Sequence, residues 1–474
     1  MARLLISAAH KSSGKTTIST GLCAALAARG RRVRPFKKGP DYIDPLWLGR
    51  AAGQPCVNLD FNTMSHAEIR EAVGRGLAEG AIALIEGNKG LYDGLDLEGS
   101  NSNAALARLV DAPVVLVIDS RGMTRGVAPL LLGYQAFEPD IRIAGVILNR
   151  VGGARHGSKL RNVIEHYTDI PVLGLVQENA DLRILERHLG LIPSNEHEAA
   201  DAQIRRLAEV IGSEVDVDRV ALLGEDSAPL PRPAMDSDST SPPQPRVRIG
   251  IARDAAFGFY YATDLEALER AGADLVFFDT LSDPVLPEVD GLFIGGGFPE
   301  SRMAELERNA SMRESVRAAI EAGLPAYAEC GGLMYLARSI EWNGRRCAMA
   351  GALPGEVTMH ARPQGRGYVQ LQETGQGPWG SAPAGAAPAV FGAHEFHYSS
   401  LETLPSETVY AYRVLRGQGI DGKHDGIVHR NLLASYSHLQ STRQNPWAQR
   451  FVQFVRSVAL QRAANDTSRP APAV

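Results

Sequence analysis

The chain has 474 residues, 44% hydrophobic and 22% charged, which is too long for one core and too apolar for wholesale disorder, so two or three globular domains are expected. Forty-nine basic against fifty-four acidic side chains give a net charge of −5, so no basic field is present to hold a nucleic-acid backbone. No run reaches the roughly 18 to 20 apolar residues of a membrane span, Met1 leads into a strand rather than a signal peptide, and the four cysteines (Cys23, Cys56, Cys330, Cys347) form no CxxC pair; a reducing, cytoplasmic setting is expected.

Along the first half, the apolar runs LLISAA (4–9), AIALIEG (81–87), APVVLVID (112–119), IAGVILN (143–149) and PVLGLV (171–176) alternate with helix-length amphipathic stretches. That alternation predicts a parallel sheet with crossover helices. Between the first strand and the helix-forming ISTGLCAALAARG lies HKSSGKTT (10–17), spaced as the second half of a P-loop, where backbone N–H groups and a helix N-terminus surround phosphate. Lys11, Ser13, Gly14, Lys15, Thr16 and Thr17 are the expected ATP-binding residues, with Lys15 along the β/γ-phosphates and the Thr16 hydroxyl on Mg²⁺. Ala9 stands where the usual motif opens with Gly. Lys11 makes this a deviant P-loop, K-x-x-G-K-[ST], whose extra lysine often reaches phosphate across a dimer, so a homodimer is possible; otherwise Lys11 is a solvated lysine.

Mg²⁺ needs carboxylate oxygen beyond that hydroxyl. Glu86, ending AIALIE, and Asp41, in KKGPDYID after RRVRPFK, both fall on the edge where open α/β sheets bind ligands. Capping or surface roles are the alternative for each.

At 224–246, GEDSAPLPRPAMDSDSTSPPQPR contains six prolines and four serines and almost no large apolar side chain; a linker is expected. It separates a first domain, 1–223, from a second, 247–462, and residues 463–474 read as a frayed tail. The second domain restarts the pattern with VRIGIA (247–252), ADLVFFD (273–279), DGLFIGGG (290–297) and LPAYAEC (324–330), then turns to shorter strands between about 341 and 440 that predict an antiparallel portion. Cys330 sits between a strand and a helix and is followed by Gly331 and Gly332, the nucleophile-elbow arrangement, and a helix N-terminus there favours thiolate. A buried structural cysteine is the alternative. Upstream, Gly295-Gly296-Gly297 lets N–H groups converge, making Gly296 and Gly297 the candidate oxyanion hole. The base is a histidine distant in sequence: His394, His397, His424, His429 or His438.

Taken in order, KKGPDYIDP (37–45), NLD (58–60), IEGNKGLYDG (85–94), VVLVIDSRGMTRG (114–126), GVILNRVGG (145–153) and PVLGLV (171–176) resemble the synthetase domain of the cobyrinic acid a,c-diamide synthase family, related to cobyric acid synthase and dethiobiotin synthetase. GGGFPE, AECGGLMYL and ASYSHL resemble class I glutamine amidotransferases. The resemblance implies an α/β protein in which a P-loop, dethiobiotin-synthetase-like parallel-sheet domain precedes a class I glutamine amidotransferase α/β domain. It implies a carbon–nitrogen ligase that uses ATP and glutamine to amidate the a and c acetates of a corrin-type tetrapyrrole, cobyrinic or hydrogenobyrinic acid. An acyl phosphate would be the intermediate and a cysteine-dependent glutaminase the ammonia source.

On that likeness Thr16, Asp41 and Glu86 hold Mg²⁺, Tyr42, Asp44, Asp60 and Asp93 face the acceptor, Asn149 reads the adenine, and His438 is the base for Cys330. The usual triad glutamate two residues after the histidine is replaced by Gln440, which leaves the group that orients His438 open. Expected partners are small molecules (tetrapyrrole polycarboxylate, glutamine, ATP), with neither nucleic acid nor membrane. Alternatives remain. FNT at 61–63 departs from the tryptophan-containing version expected in corrin enzymes, which suggests a sirohaem- or sirohydrochlorin-type acceptor. A ParA-like nucleotide-switch ATPase shares the deviant P-loop, and a CTP-synthase-like amidotransferase shares both domain types.

Overall fold

A computed structural model describes residues 2–77, 81–182, 184, 186–187, 190–196, 199–225, 227–231, 244–379 and 387–467. The chain divides into two compact units, Met1–Ser237 and Asp238–Val474. Among the described residues no helix is long and apolar enough to cross a membrane.

In the first unit, strands β1 (Arg3–Ala8), β2 (Arg32–Lys38), β3 (Val57–Leu59), β4 (Ala81–Glu86), β5 (Val114–Asp119), β6 (Ile143–Val151) and β7 (Val172–Gln177) form one sheet in the order β3-β2-β4-β1-β5-β6-β7. Every pairing is parallel. The apolar runs follow from this: both faces are covered, so successive residues are buried on opposite sides. Leu4 and Ile6 join Ile18, Leu22 and Leu207 in one core, whereas Leu5 joins Ile85, Val73 and Leu160 in the other. The crossovers include α1 (Lys15–Ala28), α2 (Ile43–Ala52) and α3 (His66–Gly76), the last opened by a Ser65–Glu68 capping box. From β1 the chain first moves toward β2 and later returns to β5 on β1's other side. The loop after β1 therefore opens at the point where strand order reverses, where ligands bind in such sheets.

The proline-rich segment departs from expectation at its start. Residues 227–231 lie against the first unit: the Ala228 N–H donates to Asp111 Oδ2 at 2.7 Å, Leu230 is buried in the core with Phe36, and the fully buried Arg3 donates to the Asp111 carbonyl. A composition dominated by proline and serine hid one leucine with a socket. Residues 232–243 lie outside the described residues.

Among the described residues, the main sheet of the second unit has nine strands. Ala273–Phe278, Val247–Ala252, Gly291–Ile294, Ala326–Glu329 and Leu432–Ser435 lie parallel in that order. The sheet continues antiparallel through His424–His429, Val409–Arg416, Gly365–Glu373 and Val390–His397. The closing helix, Trp447–Thr467, packs Trp447, Phe451 and Val455 with Phe293 and Tyr327. It runs past the expected end at 462; residues 468–474 of the expected tail lie outside the described residues.

Candidate active site

In the first unit the loop after β1 closes on α1 through Gly14, at φ 88°, in the left-handed region that glycine adopts without strain. A Cβ there would fall 2.2 Å from Asn149 Nδ2. Asn149, at the end of β6, donates to the Ser13 carbonyl at 2.9 Å and accepts from the Arg150 N–H at 3.0 Å. Arg150 reaches the Ser12 carbonyl at 3.1 Å and Asp119 at 2.6 Å. Asn149, expected to read the adenine, is seen here to clamp the phosphate loop.

The expected acidic residues converge only in part. Thr16 Oγ1 donates to Glu86 Oε1 at 2.9 Å and Asp44 Oδ2 at 3.2 Å. Asp44, expected on the acceptor side, therefore sits with the metal-side group. Asp41 accepts the Ile43 and Asp44 N–H groups at the start of α2. Lys37, passed over in the sequence, is the hub: its ammonium lies 2.5 Å from Asp44, 2.7 Å from Glu86 and 3.7 Å from Asp41. Lys37 and Glu86 are register partners on adjacent strands. Burial pushes the Glu86 carboxyl up and Lys37 opposes it; burial lowers Lys15 to about 8, with Glu86 opposing. Tyr42 is buried beside Asp41, Thr17 is half-buried on the first turn of α1, and Lys11 is exposed. Asp93 braces the next loop by accepting the Gly90 N–H at 2.9 Å, and Asp60 accepts the Asn62 N–H at 2.9 Å.

These residues fit a hard divalent cation. Glu86 Oε2 is fully buried with no hydrogen-bond partner among the described residues, the Thr16 hydroxyl adjoins it, and a lysine cation already occupies the carboxylate cluster. No three acidic, histidine or cysteine side chains form a complete cage among the described residues, as suits an ion that also takes oxygens from phosphate and water.

In the second unit Cys330 stands between the strand Ala326–Glu329 and the short helix Gly331–Leu336 with φ 48° and ψ −102°, an unfavourable conformation for a residue with a side chain. Its N–H is held by the Ser435 carbonyl at 2.7 Å, and its thiol is directed at the Phe396 carbonyl, 3.9 Å away. Two glycines make the turn possible: a Cβ on Gly332 would lie 2.1 Å from the Ile294 carbonyl, and one on Gly331 would lie 2.9 Å from the Gly297 nitrogen. The Gly297 nitrogen therefore lies beside Gly331, the residue after Cys330, and a Cβ on Gly296 would meet His438 Cε1 at 2.6 Å.

Of the five candidate histidines, His438 is the one hydrogen-bonded to Cys330. The group that orients it is Glu329, the residue immediately before the nucleophile. Glu329 Oε2 lies 3.2 Å from His438 Nδ1, while Oε1 accepts from the Leu439 N–H at 2.8 Å and the Tyr327 hydroxyl at 2.5 Å. Burial works against the imidazolium, but Cys330 and Glu329 outweigh it and raise His438 to about 10. Asp425 fixes the approach by accepting the Tyr436 and Ser437 N–H groups. His394 pairs its backbone with that of His438, and burial holds it down to about 3. His397 bonds the Ser399 carbonyl and stacks on Tyr436; His424 and His429 pair with Asp421 and Glu321.

Comparison with known proteins matches both units. Residues 5–192 match the CobQ/CobB/MinD/ParA nucleotide binding domain, and residues 248–446 match the CobB/CobQ-like glutamine amidotransferase domain. A protein of Magnetococcus marinus named cobyrinate a,c-diamide synthase is 45% identical over 96% of this chain and 97% of its own length. Proteins of the same name from Methanosarcina acetivorans and Listeria innocua are 42% identical (92% of each chain) and 38% identical (94% of this chain, 97% of the relative). A nucleotide switch alone gives the amidotransferase unit no role. By likeness over nearly its whole length, the chain belongs to the cobyrinate a,c-diamide synthase family of glutamine-dependent amidotransferase ligases.

Proposed function

We propose that this protein amidates the a and c acetate carboxylates of a corrin-type tetrapyrrole, cobyrinic or hydrogenobyrinic acid, using ATP and glutamine. The reading is carried by the occurrence in one chain of a phosphate loop facing Thr16, Lys37 and Glu86 and a Cys330–His438–Glu329 trio, within a family whose members bear that name.

A carboxylate does not exchange oxygen for ammonia unaided, because hydroxide is a poor leaving group. Transfer of the ATP γ-phosphoryl group gives an acyl phosphate and ADP, and ammonia then displaces phosphate. Lys15, at the head of α1, offsets charge on the transferring group. Magnesium, held by Thr16 with Glu86 and Asp44, would supply further charge neutralisation at the phosphates.

In the second unit the Cys330 thiolate attacks the glutamine carboxamide, and the Gly297 N–H steadies the oxyanion. The His438 imidazolium gives its proton to the departing ammonia; as neutral imidazole it then deprotonates the water that hydrolyses the thioester to glutamate. Glu329 holds His438 in place through both steps. Lys11, at the exposed tip of the loop, is free to serve a second copy, which sedimentation with and without ATP tests.

Replacing Cys330 by Ala should abolish glutamine-driven amidation while ammonium still supports it, and Lys15→Ala should abolish both, with products counted by mass. Transfer to sirohydrochlorin alone would move the assignment to that acceptor. Hydrolysis of ATP and glutamine with nitrogen reaching none of the tetrapyrrole acids would refute it.

A further inference from the structure

Strand β2 ends in two consecutive lysines with contrasting surroundings. Alternation along a strand puts their side chains on opposite faces. Lys37 has three carboxylate neighbours. Lys38 is 5% exposed, yet among the described residues no carboxylate lies within ion-pair distance of it, and its ammonium donates to one neutral oxygen, Asn88 Oδ1, at 3.1 Å. Of the charges that act on it, Asp60 favours its ammonium form, and Lys37 and Lys89 oppose it.

An ammonium carries three donor protons, and Lys38 uses one of them on Asn88. Because Asn88 accepts through Oδ1, its amide nitrogen is turned elsewhere and lies beside Gly39, 3.4 Å from where a Cβ would stand. Lys89, the next residue, is exposed. The place is a cluster of donors short of an acceptor, on the ligand-binding edge of the sheet. Burying a cation with no carboxylate in direct contact is costly, and the same strand end supplies Lys37 with a full set of acids.

We propose that Lys38, with the Asn88 amide and Lys89, receives a carboxylate of the acceptor other than the one being activated, so that the polyacid is held by a side group while another reacts. The proposal rests on the function proposed above. It makes Lys38 a determinant of acceptor binding and leaves nucleotide and glutamine chemistry untouched.

The test measures binding of cobyrinic acid and of its fully esterified form to the full-length protein by calorimetry, and KM and kcat by product mass with cobyrinic acid. Lys38→Met should weaken cobyrinic acid about ten- to a hundredfold, the range for losing a charge-assisted hydrogen bond, with the ATP and glutamine constants unchanged. The ester, lacking anionic groups, should bind wild type and variant alike. Asn88→Asp guards against a folding defect: it keeps the Lys38 bond and supplies the missing carboxylate from within, so it should fold at least as well yet weaken cobyrinic acid similarly. Unchanged acceptor affinity in both variants, or an equal loss for ATP, overturns the proposal while leaving the function intact. Wild-type protein that binds no tetrapyrrole acid overturns both.

Discussion

Glu329→Gln isolates what the glutamate does for the thiol–imidazole pair. Glutamine is nearly isosteric and can still accept from the Leu439 N–H and the Tyr327 hydroxyl through one oxygen, so the loop should stay in place. What disappears is the negative charge 3.2 Å from His438 Nδ1. A hydrogen bond to a charged group contributes about 1.5–3 kcal/mol, which at 1.36 kcal/mol per pKa unit is a fall of about one to two units. Starting from about 10, His438 in the variant should lose its proton near 8 to 9. In the proposed reaction the imidazolium is the acid that expels ammonia, so the alkaline limb of glutaminase kcat/KM should move down by that amount. The rate at neutral pH should also drop, by up to the roughly 10⁴-fold seen when a triad acid becomes an amide. The assay is glutamate release across pH 6 to 11, beside ammonium-driven amidation, which should be unaffected. Were the limb to stay put and the rate hold within threefold, Glu329 would be only a structural brace.

Gly296→Ala should push a methyl group into the His438 ring, and a displacement on the ångström scale costs about a hundredfold in rate; glutaminase activity near wild type would mean the glycine does not set the ring position. Gly14→Ala combines a φ of 88° with a 2.2 Å approach to Asn149, and strain of about 1–3 kcal/mol should weaken ATP binding roughly ten- to a hundredfold by calorimetry, an expectation that unaltered affinity contradicts. Lys37→Met leaves Glu86 buried without its cation, and unfolding in urea should show a loss of about 3–5 kcal/mol. Adding Glu86→Gln should restore much of it, and a loss no smaller in the double variant would argue against direct coupling.

Much of the architecture was legible because its causes are local. Strands buried on both faces produce unbroken apolar runs, and a phosphate loop needs its glycine, lysine and threonine at fixed spacing; both patterns survive in one dimension. The strand-to-helix turn at Cys330 was legible for the same reason, since only small residues can follow so tight a turn. Lys37 and Glu329 were not, because each acquires its role from a neighbouring strand. Lys37 meets Glu86 only once β2 is known to lie beside β4, and nothing in KKGPD separates the two lysines. Glu329 was hidden because Gln440 fills the usual place of the triad acid and left the orienting group open, whereas the acid reaches His438 from the strand alongside. Leu230 was missed because a segment's average composition says nothing about one side chain that finds a socket.

The adjacency of Glu329 and Cys330 has a consequence for transplanting this chemistry. Two of the three residues assigned to the proposed glutaminase step ride on a single peptide unit, and the third follows closely on a strand paired to it in register, Glu329 opposite Ser435. Two neighbouring parallel strands and the turns that leave them therefore form a compact cassette. An engineer seeking to install a thiol hydrolase in another open α/β scaffold would need to match one inter-strand alignment and the glycine positions around it, instead of coordinating three distant loops.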